Sequence, residues 1–191
     1  ETGRPLRPAI VWQCRRGDSI CLQLARDGHE TEIRERTGLK IDTYFSAPKL
    51  AWLMRNEPEV ASWLRNGRAL FGTIDTYLIY RLTRAETFAT DHTNASRTLL
   101  YDIRRRCWDE TLCGCFAAPF HALAEIRESS ECFGSTTAEG LLSEALPICG
   151  VMGDSQASLF AHGCFDPGMA KVTIGSGSST LLNIGPDLEI A

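Results

Sequence analysis

The chain of 191 residues carries 20 basic and 24 acidic side chains, a net charge of -4, and 43% hydrophobic residues. That supports one good-sized core and the start of a second, and it offers no basic face for nucleic acid or for a membrane surface. No apolar run reaches the ~18 residues of a bilayer span, and the opening ETGRPLRPAIVW lacks the plan of a signal peptide, so a cytoplasmic protein with small-molecule partners is expected.

Taken in chain order, Pro8 to Gln13 reads as a short β-like run, and Asp18 caps a helical stretch that ends at Gly28. A second, charged helix stops at Gly38. Ile41 to Lys49, IDTYFSAPK, reads as a loop with Tyr44 and Phe45 in its middle, followed by short amphipathic helices over Leu50 to Arg55 and Pro58 to Asn66. Thr73 to Leu82 is a more apolar helix, Asp91 to Ser96 a loop or turn, and Leu99 to Ile103 a strand. Arg104, Arg105 and Arg106 read as a solvated turn, with Trp108 and Asp109 opening another helix.

Farther on, the turn-rich stretch Glu131 to Gly150 leads into VMGDSQASLF, where an apolar run meets Gly153-Asp154 and helical spacing resumes. Gly163 to Gly168 is a connector. Ala170 to Ile174 and Thr180 to Ile184 then form two β runs hinged on Gly175-Ser176-Gly177-Ser178-Ser179. Helices mixed with short strands and free of repeats define an α/β protein.

Eight cysteines, none spaced C-x-x-C, fit buried thiols in a reducing compartment. Cys113 and Cys115, with Cys107, His121 and Cys132 near in sequence, leave a zinc site as an alternative of unusual spacing. Asn94-Ala-Ser96 matches a glycosylation sequon, which means nothing without export.

Two readings of Asp154 stand side by side. As a helix cap it would satisfy orphan amides; as a catalytic base it would take a proton from a substrate hydroxyl. The Gly-Ser turn about twenty residues later is weak alone, because hairpins use such residues routinely, yet its converging N–H groups suit phosphate oxygens. An acid at a strand-to-helix junction followed by such a turn is a joint signal for phosphoryl transfer. Trp12 is open between core and site, and Tyr44, in a polar loop, leans to the site.

WQCRR (Trp12 to Arg16), DTYFSAPKL (Asp42 to Leu50), FGTIDTYLIYRLT (Phe71 to Thr83), TDHTNASRTLLYDI (Thr90 to Ile103), GDSQASLFAHGCFDPGMAK (Gly153 to Lys171) and GSGSS occur in the order in which they stand in FGGY carbohydrate kinases. The chain closely resembles that family, and most of all its glycerol-phosphorylating branch. The resemblance implies an actin-like, ribonuclease-H-like ATPase fold with ATP and Mg²⁺ in an interdomain cleft and a polyol beside them. It further implies that residues 1–163 form the later portion of the first, substrate domain, and that 164–191 open the second, nucleotide domain with a β-hairpin.

On the same resemblance, Asp154 matches the catalytic base and meets the metal only indirectly, through Mg-ATP. Trp12, Tyr44 and Ser155 match substrate-binding positions, and Gly175, Ser176 and Gly177 match a phosphate-contacting turn that usually reads Gly-Thr-Gly. The implied reaction converts glycerol to glycerol 3-phosphate, in a protein expected to be a homo-oligomer at full length. Ser155 stands where the family has Gln, and Ser179 where it has Phe. A roomier, wetter pocket follows, open to a longer polyol or a ketopentose. A non-catalytic protein of the same fold is the rival class.

The family's first phosphate loop and its Arg-Glu substrate pair belong before Glu1, and its adenine-binding segments after Ala191. The 191-residue piece alone is therefore expected to show no kinase activity.

Overall fold

The computed structural model describes residues 3–175 and 177–186. The chain divides into two compact units, 1–151 and 152–191. The first is mainly helical: α1 (Asp18–Arg26), α2 (Glu30–Thr37), α3 (Ser46–Asn56), α4 (Pro58–Arg65) and α5 (Ile74–Leu82) come first. Next are strand β1 (Ala89–Asp91), the single turn α6 (His92–Ala95), the hairpin of β2 (Tyr101–Asp102) and β3 (Cys107–Trp108), and α7 (Glu110–Cys115). β4 (Glu125–Arg127) pairs in parallel with β1, and β5 (Ser135–Thr136) pairs antiparallel with β6 (Leu146–Pro147).

One apolar cluster holds this unit together. Ile20 and Leu24 of α1, Ile33 of α2, Leu50 and Met54 of α3 and Leu64 of α4 face inward and meet Leu99, Leu100, Leu112 and Phe116. A smaller cluster joins Ile79, Ala89 and Phe133. Two glycines set the backbone geometry of this unit. Gly38 ends α2 at φ 69°, a left-handed C-cap that side chains resist. Gly17 lies so close to α3 that an added Cβ would stand 2.8 Å from the Pro48 Cβ, so α1 can start there only without a side chain.

The second unit consists of α8 (Asp154–Ala161) packed against the antiparallel hairpin of β7 (Ala170–Ile174) and β8 (Ser178–Leu182). Among the described residues no helix is long and apolar enough to cross a membrane.

Several expected elements change. Pro8 to Gln13 is not a strand: the Cys14 N–H bonds the Val11 carbonyl at 3.1 Å and closes a turn at Trp12-Gln13. A strand needs a partner ladder, which local β propensity cannot supply. The loop reading of Ile41 to Lys49 fails from Ser46 onward, because α3 starts there. Pro48 falls in the first helical turn, where a missing N–H costs nothing, and the Ala47 N–H is taken by the Thr98 carbonyl at 2.9 Å.

Asp18 does not cap α1; Gly17 holds that position and Asp18 is the first helical residue. Trp108 belongs to β3, leaving Asp109 alone to cap α7 through the Leu112 N–H at 2.9 Å. His92 to Ala95 forms a helical turn within the expected loop. The second hairpin run begins at Ser178, two residues early, which shortens the turn.

Candidate active site

Of the three expected substrate residues, Trp12 and Tyr44 lie in the first unit and stand together. Trp12, 60% exposed, and Tyr44, 49% exposed, stand with ring centroids 5.7 Å apart and planes tilted by 55°. Neither is core, so the core alternative for Trp12 is set aside by its exposure. Tyr44 in turn meets Phe45 edge-on at 5.3 Å, and the Arg97 guanidinium lies 5.0 Å over the Phe45 ring. Two aromatic faces open to solvent can pack on the C–H side of a polyol.

The loop carrying Tyr44 is fixed from below. The Tyr44 N–H donates to Asp42 Oδ1 at 2.9 Å. That bond, followed by Lys40 at 3.3 Å, holds the Asp42 carboxyl below its ordinary range despite partial burial. Lys49 is buried and donates through Nζ to the carbonyls of Thr43, of Tyr44 at 2.9 Å and of Phe45 at 2.8 Å. Burial lowers its ammonium from the ordinary lysine value. The sequence signals this support of the loop only as a single cation, Lys49, beside the apolar helical run LAWLM.

Asp91 anchors a second polar knot. It caps α6 by accepting from the N–H groups of Thr93 at 3.1 Å and Asn94 at 3.0 Å, and it also takes the Ser129 hydroxyl at 2.6 Å. Burial opposes its charge, yet those bonds prevail and its carboxyl sits below the usual value. The stretch DHTNAS is thus a capped turn tied to the strand region.

In the second unit Asp154 is the first residue of α8 and is exposed. It does not cap the helix: Gly153 holds that position, no side chain caps the end, and the carboxylate accepts the Ser155 N–H at 2.6 Å. Ser155 follows it, half-buried. Gly175 and Gly177 stand exposed at the hairpin turn, and Ser176 lies outside the described residues. A Cβ added at Gly177 would meet nothing within 4 Å, and one at Gly175 only the Gly177 carbonyl at 3.7 Å. At Gly175 and Gly177 no side chain stands in the way of a phosphate oxygen.

A cleft of about 640 Å³ lies elsewhere in the first unit, lined by Arg36, His92, Arg105, Trp108, Asp109 and Phe120 among others, and it contains none of the expected site residues. Arg36 pairs with Asp109 at 2.7 Å and Arg106 with Glu128 at 2.7 Å, while Arg105 reaches the same Asp109 at 3.7 Å, so ion pairs within the fold occupy much of its charge. The cysteines and His121 do not assemble either. Among the described residues no three His, Cys, Asp or Glu side chains gather as metal ligands, and His121 Nε2 bonds the Leu64 carbonyl at 3.0 Å.

Comparison with known proteins gives the class of the fold, the actin-like, ribonuclease-H-like ATPase fold. Residues 1–161 match the model of the FGGY family of carbohydrate kinases, N-terminal domain, and the chain belongs to that family. It is 49% identical over 189 residues to a glycerol kinase of Alcanivorax borkumensis, covering 99% of this chain and 38% of that protein. Over 185 residues it is 47% identical to glycerol kinase 1 of Thermotoga maritima, covering 97% and 37%.

Among solved structures, Plasmodium falciparum glycerol kinase with ADP superposes with a TM-score of 0.90 at 38% identity, over 95% of this chain and 36% of that one. A xylulose kinase from Brucella ovis gives 0.81 at 28% identity, over 93% and 36%. The chain thus spans little more than a third of the relatives it matches.

Proposed function

We propose that the protein to which this chain belongs is an ATP-dependent kinase that transfers the γ-phosphoryl group to a hydroxyl of glycerol, giving glycerol 3-phosphate. The observation that carries this reading is Asp154, an exposed carboxylate at the head of α8 that accepts the Ser155 N–H through one oxygen while Gly153 holds the cap position. The likeness to glycerol kinases supports the substrate.

In this mechanism Asp154 accepts the proton of the attacking hydroxyl as the O–P bond forms. An alcohol is a weak nucleophile at neutral pH, so a carboxylate within hydrogen-bond reach is worth about 10²- to 10⁴-fold, while positioning and charge stabilisation supply the rest. Trp12 and Tyr44 hold the C–H face of the polyol, and Ser155 offers a hydroxyl to its oxygens. The backbone of Gly175 and Gly177, with Ser176 between them, receives phosphate oxygens of ATP. Mg²⁺ bound to the nucleotide would neutralise charge on the transferred group; Asp154, an oxygen donor of the hard kind such ions prefer, would face it only through the nucleotide.

A longer polyol or ketopentose is the second reading, favoured by the small polar side chains at Ser155 and Ser179. Asp154→Asn in the full-length protein tests the first. Turnover should fall by about 10²- to 10⁴-fold with glycerol affinity, measured calorimetrically, within a factor of a few of the parent. Unchanged turnover would remove Asp154 as the base.

A further inference from the structure

The segment from Glu131 to Gly150 doubles back on itself. The Phe133 N–H donates to the Ile148 carbonyl at 2.8 Å, and the Ile148 N–H donates to the Gly134 carbonyl at 2.8 Å. Beyond these bonds β5 and β6 continue the ladder, with Ser135 opposite Pro147 and Thr136 opposite Leu146. Below them the Val151 N–H reaches the Ser129 carbonyl at 3.0 Å, so the two arms stay together on that side too. Cys132 and Cys149 are the residues next to this bonded pair, one on each arm.

Both thiols are free and exposed, whereas Cys113 and Cys164 are buried. Carried down unchanged, the ladder would set Cys132 opposite Gly150. Phe133 and Gly134 both bond Ile148, however, and this two-against-one bulge brings Cys132 opposite Cys149. Paired antiparallel arms hold such Cα atoms roughly 4.5–5.5 Å apart, inside the span a disulfide tolerates. The thiols also sense each other: slight desolvation and then the neighbouring Cys132 thiol raise Cys149 above its ordinary value. Arg127 donates to the Cys132 carbonyl at 3.0 Å and pins that arm.

We infer that Cys132 and Cys149 form an oxidisable dithiol, a modification site at which a small-molecule disulfide of the glutathione type closes a Cys132–Cys149 bridge across the base of the β5–β6 hairpin. One cysteine thiolate attacks a sulfur of the oxidant, forming a mixed disulfide and expelling one glutathione thiolate. The second cysteine then attacks the protein-bound sulfur, the S–S bond to glutathione breaks, and a second glutathione thiolate leaves. The two cysteine protons end on the two glutathione thiols, so the protein loses two hydrogens and the oxidant gains them.

The bridge would enclose the exposed tip around Leu141, which is 88% accessible. The test uses the full-length protein, oxidised glutathione as the probe, alkylation of remaining thiols and peptide mass spectrometry. The expected result is a linked Cys132–Cys149 peptide that reduction separates. Proteolytic cleavage near Leu141 should then give two pieces that stay joined until a reductant is added. Cys149→Ser should trap glutathione on Cys132, and Cys132→Ser on Cys149, with unchanged far-ultraviolet circular dichroism. The inference is overturned if the parent protein retains two free thiols, accumulates a stable mixed disulfide, or links either cysteine elsewhere. It is equally overturned if neither single variant takes up glutathione.

Discussion

The ammonium of Lys49 donates to the backbone carbonyl of Tyr44 at 2.9 Å, from a side chain that is itself buried. The same nitrogen also serves Thr43 and Phe45, so one cation gathers three consecutive carbonyls and presents the Tyr44 ring toward Trp12. Lys49→Met keeps most of the stem but leaves those carbonyls without their donor. The expected loss is about 2 kcal/mol of unfolding free energy, read as a lower urea midpoint at unchanged slope. A midpoint equal to the parent's would show that water replaces the ammonium at no cost.

Asp91 predicts an acid-sensitive contribution. Its folded carboxyl lies below the unfolded value of 3.8, so its stabilising effect is present above pH ~4 and is lost as pH falls through the lower folded value. Asp91→Ala should cost about 2 kcal/mol at pH 7, from the lost cap and the orphaned Ser129 contact, and the gap to the parent should shrink steadily below pH ~4. Chemical denaturation at a series of pH values reads it; a gap that stays constant into acid would contradict the assignment.

Arg36 and Asp109 tie α2 to α7 at 2.7 Å, with the Asp109 side chain 1% exposed. Hydrogen bonding to Asp109 and Glu32 outweighs desolvation and holds Arg36 above its ordinary value. Removing the cation strands a buried carboxylate, so Arg36→Met is expected to cost about 2–3 kcal/mol, eased by Arg105 at 3.7 Å. Asp109→Ala removes the buried carboxylate itself and leaves Arg36 with Glu32, so its cost, about 1–2 kcal/mol, comes chiefly from the lost α7 cap. A double-mutant cycle on thermal unfolding separates the pair from the cap.

Substrate choice is the fourth test. If Ser155 and Ser179 widen the polyol site, Ser155→Gln with Ser179→Phe in the full-length protein should move the kcat/KM ratio toward glycerol and away from five-carbon polyols by roughly 10-fold or more. The same ratio in the double variant and its parent would clear these positions of any part in selectivity.

Much of this was legible in the chain itself. The ends of α2 and α4 follow from Gly38 and Pro58, and α5 from its apolar spacing, because helix bonds join residues four apart and need nothing distant. The ordered motifs from Trp12 to the Gly-Ser turn identified the family, and residues 1–161 match its N-terminal domain. Trp12 and Tyr44, 32 positions apart by their numbers, fall in two of those motifs, WQCRR and DTYFSAPKL.

Other features were decided only by packing. The run Pro8 to Gln13 has strand-like residues but no ladder, and the loop before Leu50 becomes helix because Thr98 offers its carbonyl to Ala47. The role of Lys49 depends on the surrounding apolar cluster, which shuts water out and makes carbonyls its substitute. Cys132 and Cys149 became neighbours only when the arms bearing them paired. Local propensity and motif order fix what a segment can be; desolvation and strand pairing need groups brought in from far along the chain, so their outcome is set by the tertiary fold.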